Sequence, residues 1–127
     1  MERIEATVSR QDMLCVEAAA GPTSFIVFGA SGDLAHRKLF ISLYALHRRQ
    51  LINGRFYVIG CGRSDLNDEQ FRAAVGNSIR RFGADSDDAG LDAFLGRFYY
   101  VSGDYEQAGF YQKICCAMAD LDAQYKL

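Results

Sequence analysis

Hydrophobic residues along this chain alternate between short continuous runs and stripes with helical spacing. Three apolar runs, at residues 25–28, 56–59 and 98–101, have the length and unbroken hydrophobicity of strands that are buried on both faces of a parallel sheet. After each run, apolar residues recur at intervals of three and four, which indicates amphipathic helices. The pattern therefore predicts the order strand, helix, strand, helix, short helix, strand, helix.

Each predicted helix carries its own apolar stripe. The helix after the second strand begins at a capping pair, Asn67 and Gln70, and is expected to stop at Gly83. Asn53-Gly54 supplies the turn between the first helix and the second strand. The predicted core residues are Leu39, Phe40, Leu43, Tyr44, Leu46 and Leu51; Phe71, Val75, Ile79 and Phe82; Leu91, Phe94 and Leu95; and Phe110, Ile114, Met118, Leu121 and Tyr125.

Strands that alternate with helices predict right-handed crossovers and an α/β fold with helices on both faces of a parallel sheet. Three strands are half of a doubly wound sheet, with the order 3-2-1 and the first strand central in the complete fold. We therefore expect an incomplete sheet whose first strand is an unpaired edge. Residues 1–22 are expected to be a flexible leader, residues 23–127 a truncated domain, and a second, substrate-binding domain is expected to be absent.

The composition narrows the class of protein. A chain of 127 residues that is half apolar suits one globular domain, and its net charge of −2 argues against nucleic acid as a partner. No apolar stretch is long enough to span a membrane, and the start Met-Glu-Arg-Ile-Glu lacks the order of a secretory signal. We therefore expect a cytoplasmic protein that binds neither nucleic acid nor membrane.

The four cysteines, Cys15, Cys61, Cys115 and Cys116, have no metal-ligand spacing. They are expected to be reduced and mostly to pack in the core. A redox role for Cys15, in the leader, stays open.

A glycine turn, residues 29–35, follows the first strand and opens a helix, which is the context of a dinucleotide-binding turn. Gly29 permits the tight turn, Gly32 lets the backbone approach a pyrophosphate, and Ala35 allows close packing of helix and strand. Free N–H groups at the helix start would hold the phosphates, with Ser31 adding a hydroxyl. The spacing G-x-x-G-x-x-A differs from the standard G-x-G-x-x-G, so a plain glycine turn remains the alternative.

Three basic residues, His36, Arg37 and Lys38, occupy the first turns of that helix. Exposed cations there oppose the helix dipole at about 0.3–1 kcal/mol each. Either the cluster is simply solvated, or a cofactor pyrophosphate and a substrate phosphate compensate for the cost. Asp33 is expected to complement the dipole rather than to act as a catalytic acid.

The second strand ends in Gly60-Cys61-Gly62-Arg63-Ser64, with no acidic residue before Asp65. NAD-binding folds place an acidic residue here for the ribose hydroxyls, whereas NADP-binding folds place an arginine nearby for the 2′-phosphate. Arginine also suits phosphate geometry. The sequence therefore favours NADP, and a solvent-facing loop arginine is the alternative.

Together these segments resemble the glucose-6-phosphate dehydrogenase family, whose members carry G-A-S-G-D-L-A-x-x-K near the amino terminus. A G-x-x-R pattern and a helix beginning like residues 66–71 follow, and the likeness extends over about residues 24–127. The resemblance implies a Rossmann-type fold, with Arg63 on the 2′-phosphate of NADP, Ser64 beside it, and Lys38 facing the substrate phosphate. His36 stands where the family more often has lysine. The residues implied to line the NADP phosphates are Gly29, Ala30, Ser31, Gly32, Asp33, Leu34, Ala35 and His36.

The resemblance also implies the reaction, which is oxidation of glucose 6-phosphate to 6-phosphogluconolactone, the first step of the pentose phosphate pathway, with hydride transfer to NADP and no metal. The family's histidine base lies in an Arg-Ile-Asp-His segment that this sequence lacks. No catalytic residue is therefore expected here, since His36 lies at the phosphate turn and His47 on a helix face. The chain alone is expected to be inactive, and the full-length enzyme to be a dimer or tetramer.

Two other functions stay open. A stand-alone module that senses NADP(H) would share the glycine turn and Arg63. A different NADP reductase is a weaker alternative, because the sequence has no Tyr-x-x-x-Lys pair.

Overall fold

The structure, a computed structural model, describes residues 21–83 and 88–127. Apart from Gly21 and Pro22, the predicted leader lies outside these residues, and so does Cys15. The elements are β1 (Thr23–Phe28), a π-helical segment (Ala35–Leu39) that continues into α1 (Phe40–Arg48), β2 (Phe56–Gly62), α2 (Asp68–Phe82), α3 (Asp88–Leu95), β3 (Phe98–Ser102) and α4 (Ala108–Tyr125).

The three strands form one parallel sheet in the order β1-β2-β3, which confirms the predicted 3-2-1 arrangement. In register, Val27 lies beside Gly60, and Gly60 lies beside Tyr100. All seven residues of the central strand β2 are buried, as its continuous apolar run predicts. Among the described residues β1 pairs on one side only, so it is an edge strand.

Helices cover both faces of the sheet, and a separate hydrophobic cluster fills each interface. The larger cluster joins α1, α2 and α3 to one face, and five of its aromatic rings are fully buried: Phe40, Phe56, Phe71, Phe94 and Phe98. The smaller cluster joins α4 to the other face through Tyr57, Ile59, Phe110, Ile114 and Leu121. Helices on two faces of a parallel sheet give the predicted α/β architecture.

Gly60 allows this close packing at the middle of β2. A Cβ atom at this position would overlap the ring of Phe71, from α2, and the methyl group of Ala30. The absence of a side chain therefore lets α2 and the turn after β1 approach the sheet together.

Two parts of the predicted core are wrong. Leu39 and Leu46 are 40% and 38% exposed, whereas Phe40, Leu43 and Tyr44 are buried. The π-helical segment before α1 widens the turn, so the face that follows is rotated relative to an uninterrupted α-helix.

Phe82 is also partly exposed, and its ring stacks under the guanidinium groups of Arg37 and Arg81 instead of entering the core. The prediction that the cysteines mostly pack inside holds for Cys61 but is wrong for Cys115 and Cys116. Both are exposed, because α4 turns Ile114 and Leu121 toward the sheet.

The predicted capping pair is present as a reciprocal capping box at the start of α2. The Gln70 N–H donates to Asn67 Oδ1 at 2.7 Å, and the Asn67 N–H donates to Gln70 Oε1 at 3.0 Å. Two N–H groups that the helix itself cannot satisfy thereby find acceptors. Gly83 caps the other end, as predicted.

Replacing Asn67 by alanine should lower the free energy of unfolding by about 1 kcal/mol, because the first turn of α2 loses its cap. Urea denaturation followed by circular dichroism measures this loss. Asn77→Ala is the matched control, since Asn77 lies exposed within the same helix and alanine is the better helix former there. Equal losses in the two variants would contradict a specific role for the cap.

Candidate dinucleotide-binding site

The predicted glycine turn leaves β1 by a left-handed step. Gly29 has φ of 70°, a conformation that glycine adopts without steric cost. The N–H of Ala30 donates to the Cys61 carbonyl at 3.0 Å, and the N–H of Gly32 donates to the Gly29 carbonyl at 2.9 Å. A Cβ at Gly32 would lie only 3.1 Å from that same carbonyl, so the turn is built to fit a glycine there.

The helix that follows presents unused backbone donors at its start. Its first carbonyl acceptor is that of Gly32, which receives the His36 N–H at 3.3 Å. The N–H groups of Asp33, Leu34 and Ala35 belong to the first turn and have no intrahelical acceptor, and no other acceptor within residues 21–83 and 88–127 takes them. These three donors, at the positive end of a helix dipole, form a site suited to an anion.

Two of the predicted phosphate-lining residues pack into the hydrophobic core beneath the turn. Ala30 is fully buried and Ala35 nearly so, and both belong to the cluster beneath α1 and α2. Their methyl groups pack against the sheet and are not presented to a ligand. Ala35 thus packs helix against strand, as the sequence predicts.

A cleft of about 560 Å³ opens beside the turn, at the carboxyl end of β1. Its wall combines backbone of the turn with exposed apolar side chains, and Lys38 is the one basic residue among the described residues that line it. Phe28 is 53% exposed and Leu34 is 75% exposed. The lining residues are Phe28, Gly29, Gly32, Asp33, Leu34, Ala35, Lys38, Leu39 and Ser42.

The three basic residues of this helix have different surroundings. Arg37 pairs with Asp33, with 2.8 Å between Nε and Oδ1, and its guanidinium lies 4.8 Å from the centre of the Phe82 ring. The carboxylate of Asp33 is thereby neutralised in part by a residue one turn further along the same helix. Lys38 has no ion-pair partner among the described residues and lines the cleft.

His36 points to α2. Its Nδ1 lies 2.8 Å from Ser78 Oγ, and because the Ser78 hydroxyl donates to the Ala74 carbonyl, the Nδ1–H is the donor of this bond. Its ring also meets that of Phe40 edge-on. Burial lowers the pKa of His36 below the ordinary value, while the Ala30 carbonyl and Asp33 oppose that shift. The neutral imidazole is therefore favoured.

The second predicted segment lies beside the first because β1 and β2 are neighbours. Phe28 is paired with Cys61 in the parallel register, so the turn after β1 and the loop at Arg63 both leave the sheet at the carboxyl ends of these strands. Arg63 is exposed, with no ion pair to a residue that the structure describes. Cys61 points into the core, where burial raises the pKa of its thiol to about 11.

Two tyrosines that the sequence reasoning assigned to no site hold these loops. The Tyr100 hydroxyl donates to the Ser64 carbonyl at 2.8 Å and lies next to the Ser31 hydroxyl. The Tyr105 hydroxyl accepts the Gly29 N–H and donates to the Cys61 carbonyl. Both tyrosines come from β3 and the loop after it, so no local pattern near the glycine turn could reveal them.

His47 lies away from this site. Its ring packs between Phe56 and Phe94, with centroid distances of 5.5 Å and 5.1 Å. Burial and the charge of Arg97 lower its pKa. It is the half-buried helix residue that the sequence predicts.

The family model described as "Glucose-6-phosphate dehydrogenase, NAD binding domain" matches residues 26–126 of this chain. The chain belongs to the glucose-6-phosphate dehydrogenase family. The matched region is its nicotinamide-dinucleotide-binding domain, and it contains both the glycine turn and the loop at Arg63.

Curated relatives agree with this assignment. The glucose-6-phosphate 1-dehydrogenase of Bacillus subtilis is 35% identical over 102 residues, which are 80% of this chain and 20% of that protein. The chloroplastic enzyme of Spinacia oleracea is 33% identical over 102 residues, or 79% of this chain and 18% of that protein. The chain thus spans about a fifth of the length of these dehydrogenases.

Solved structures of the family share the fold. A glucose-6-phosphate dehydrogenase in complex with its substrate glucose-6-phosphate superposes with a TM-score of 0.75 at 29% identity, covering 90% of this chain and 23% of the other. The Mycobacterium avium enzyme gives a TM-score of 0.70 at 31% identity, covering 76% of this chain and 21% of the other. The Rossmann-type fold expected from the resemblance is confirmed.

No helix among residues 21–83 and 88–127 has both the length and the hydrophobicity to cross a membrane.

Lowering the pH should destabilise the chain through His36. Because the folded state depresses its pKa, the unfolded state binds the proton more readily, and stability falls as the pH drops from about 6.5 through the folded pKa. An NMR titration of the two histidine rings should show the His36 midpoint below 6.5. His36→Gln should reduce the loss of unfolding free energy over that range. A midpoint above 6.5 would contradict the surroundings described for this ring.

Proposed function

We propose that this chain is the NADP-binding part of a dehydrogenase that oxidises glucose 6-phosphate to 6-phosphogluconolactone. Gly29 to His36 form the phosphate-binding segment, Arg63 and Ser64 bind the adenosine 2′-phosphate side, and Lys38 faces the phosphate of the substrate. The single observation that carries the proposal is the convergence, at the carboxyl end of the sheet, of helix-start amides and an arginine that have no partner among residues 21–83 and 88–127.

The residues present suit a dinucleotide. Glycines at positions 29 and 32 let a diphosphate approach the backbone, and the amides of Asp33, Leu34 and Ala35 can donate to its oxygens. Ser31 is exposed at the same turn, and its hydroxyl, which lies beside that of Tyr100, is within the segment that would face the phosphates. Since Asp33 is paired with Arg37, its charge is partly compensated and repels an incoming phosphate less.

The choice of NADP depends on Arg63. Arginine binds a phosphate monoester with two parallel donors, whereas an NAD site places a carboxylate here for the ribose hydroxyls. Within the described residues no ion pair competes for the guanidinium. The Tyr100 hydroxyl donates to the carbonyl of Ser64, the next residue, at 2.8 Å and so restrains the loop that carries Arg63.

The proposed substrate site begins at Lys38, the cation of the cleft. Its ammonium group would bind the phosphate of glucose 6-phosphate, while the neighbouring turn holds the cofactor. A nicotinamide ring bound beside this cleft would supply the hydride acceptor for oxidation of the sugar at C1. Neither His36, which donates to Ser78, nor His47, which packs between two phenylalanines, is placed to remove the hydroxyl proton.

A stand-alone NADP(H) sensor would use the same turn and the same arginine. The matches favour the enzyme, because the relatives aligned with this chain are named as dehydrogenases. A cytoplasmic location and assembly of the full-length enzyme as a dimer or tetramer stay predictions.

Arg63→Ala should remove the preference for NADP over NAD. We expect the wild-type chain to bind NADP⁺ at least about tenfold more tightly than NAD⁺, which corresponds to about 1.4 kcal/mol, and the variant to bind both alike. Isothermal titration calorimetry with each dinucleotide measures the ratio. Arg80→Ala, which removes another exposed arginine, from α2, is the control and should keep the ratio. A ratio that survives Arg63→Ala would contradict the assignment of the 2′-phosphate.

Lys38→Met should abolish recognition of the sugar phosphate. In ¹⁵N-labelled chain, glucose 6-phosphate is expected to shift the amide signals of Lys38 and the cleft residues, and glucose is not, because the phosphate supplies the ionic contact. Arg80→Met tests whether loss of any positive charge has the same effect. Shifts of equal size with glucose, or shifts unaffected by Lys38→Met, would contradict the substrate assignment.

A further inference from the structure

The Tyr105 hydroxyl lies between the ends of the two strands that carry the site. It accepts a hydrogen bond from the Gly29 N–H and donates one to the Cys61 carbonyl at 3.2 Å. That carbonyl also accepts the Ala30 N–H at 3.0 Å. Two consecutive amides of the glycine turn therefore reach the same carbonyl of β2, one directly and one through the phenol.

These bonds fix the conformation of Gly29 from both sides. Tyr105 orients the peptide group between Phe28 and Gly29. The next peptide group is held by the Ala30 N–H on Cys61 and by the Gly29 carbonyl, which accepts the Gly32 N–H at 2.9 Å. The positive φ of Gly29 lies between these two restrained groups. No atom of the described residues lies within 4 Å of a Cβ built at Gly29, so these hydrogen bonds are the contacts seen to restrain it.

Tyr105 is itself firmly placed. Its ring meets Phe28 edge-on at 5.6 Å between centroids and packs against Phe110 at 5.4 Å. The loop that carries it is tied to β2, because the Gly103 N–H donates to the Gly62 carbonyl at 3.0 Å. The Tyr111 hydroxyl also donates to the Tyr105 carbonyl at 2.8 Å. The hydroxyl is thus delivered by a restrained segment.

We propose that Tyr105 is a positioning residue for dinucleotide binding: its hydroxyl sets the conformation of Gly29, and so aims the amides after Gly32 at the diphosphate. The inference rests on the proposed function. Preorganised donors bind an anion without ordering the loop at the moment of binding, so loss of this bond should weaken binding without touching the ligand. The diphosphate is common to NAD and NADP, so both affinities should fall together.

Tyr105→Phe removes the hydroxyl and keeps the ring contacts. In the free chain, hydrogen exchange of the Gly29 amide should accelerate on the order of tenfold, because the bond that protects it is lost. Calorimetry should show NADP⁺ and NAD⁺ binding weakened by the same factor, on the order of threefold to tenfold, as for one neutral hydrogen bond. The NADP⁺/NAD⁺ ratio should stay at the wild-type value.

Tyr57→Phe is the matched control. It likewise removes a single phenol hydroxyl, the one that donates to Asp122 at 2.6 Å on the α4 face of the sheet. Tyr57 lies at the opposite end of β2 from the glycine turn. Any general loss of stability should appear in this variant, while Gly29 exchange and both affinities should not change.

The outcomes separate this inference from the proposed function. Weaker binding of both dinucleotides in Tyr105→Phe, with no change in Tyr57→Phe, supports the positioning role. Unchanged affinities in Tyr105→Phe beside normal wild-type binding overturn the role of Tyr105 alone. A folded wild-type chain that binds neither dinucleotide overturns the proposed function and this inference with it.

Discussion

The parallel pairing of β1 with β2 is the constraint on which the site depends. It sets Phe28 beside Cys61, and the Ala30 N–H then extends the ladder by one hydrogen bond beyond the last strand residue. Both segments therefore leave the sheet at the same edge, at their carboxyl ends, where ligands bind in open α/β sheets. Gly60 serves the same constraint from the middle of β2, because a side chain there would separate Ala30 and Phe71 from the sheet.

Backbone amides and side-chain cations both contribute to the attraction for an anion at this end of the sheet. Of the three basic residues at the helix start, His36 has a pKa lowered by burial, which favours its neutral form, and Arg37 is paired with Asp33. The remaining attraction for an anion comes from the first-turn amides, from Lys38 in the cleft and from Arg63 across the edge. The cost of placing three basic residues in a first helical turn is thus reduced locally for two of them. The third, Lys38, is the residue that the resemblance assigns to the substrate phosphate.

The sequence predicted the elements and their order well because each one has a strong local signal. The three apolar runs became the three strands, the capping pair at Asn67 formed as expected, and the strand order followed from the doubly wound arrangement. The sequence-based prediction failed where burial or a contact depends on residues far away in the sequence or on the geometry of a whole helix. At α1 the predicted burial of Phe40, Leu43 and Tyr44 is confirmed, but the π-helical segment before it leaves Leu39 and Leu46 exposed. Tyr105 contacts Gly29 across 76 positions of sequence, so no local pattern near the turn could predict this contact.

The claim that the two segments form a single site can be tested most directly by mapping NADP⁺ onto the ¹⁵N-labelled chain by NMR. The account predicts that amide signals of residues 31–35 and of Arg63 and Ser64 shift together and saturate at one dissociation constant. Signals of the exposed α4 face around Cys115 should stay in place. Shifts confined to one of the two segments, or two different dissociation constants, would contradict a common dinucleotide site at this edge of the sheet.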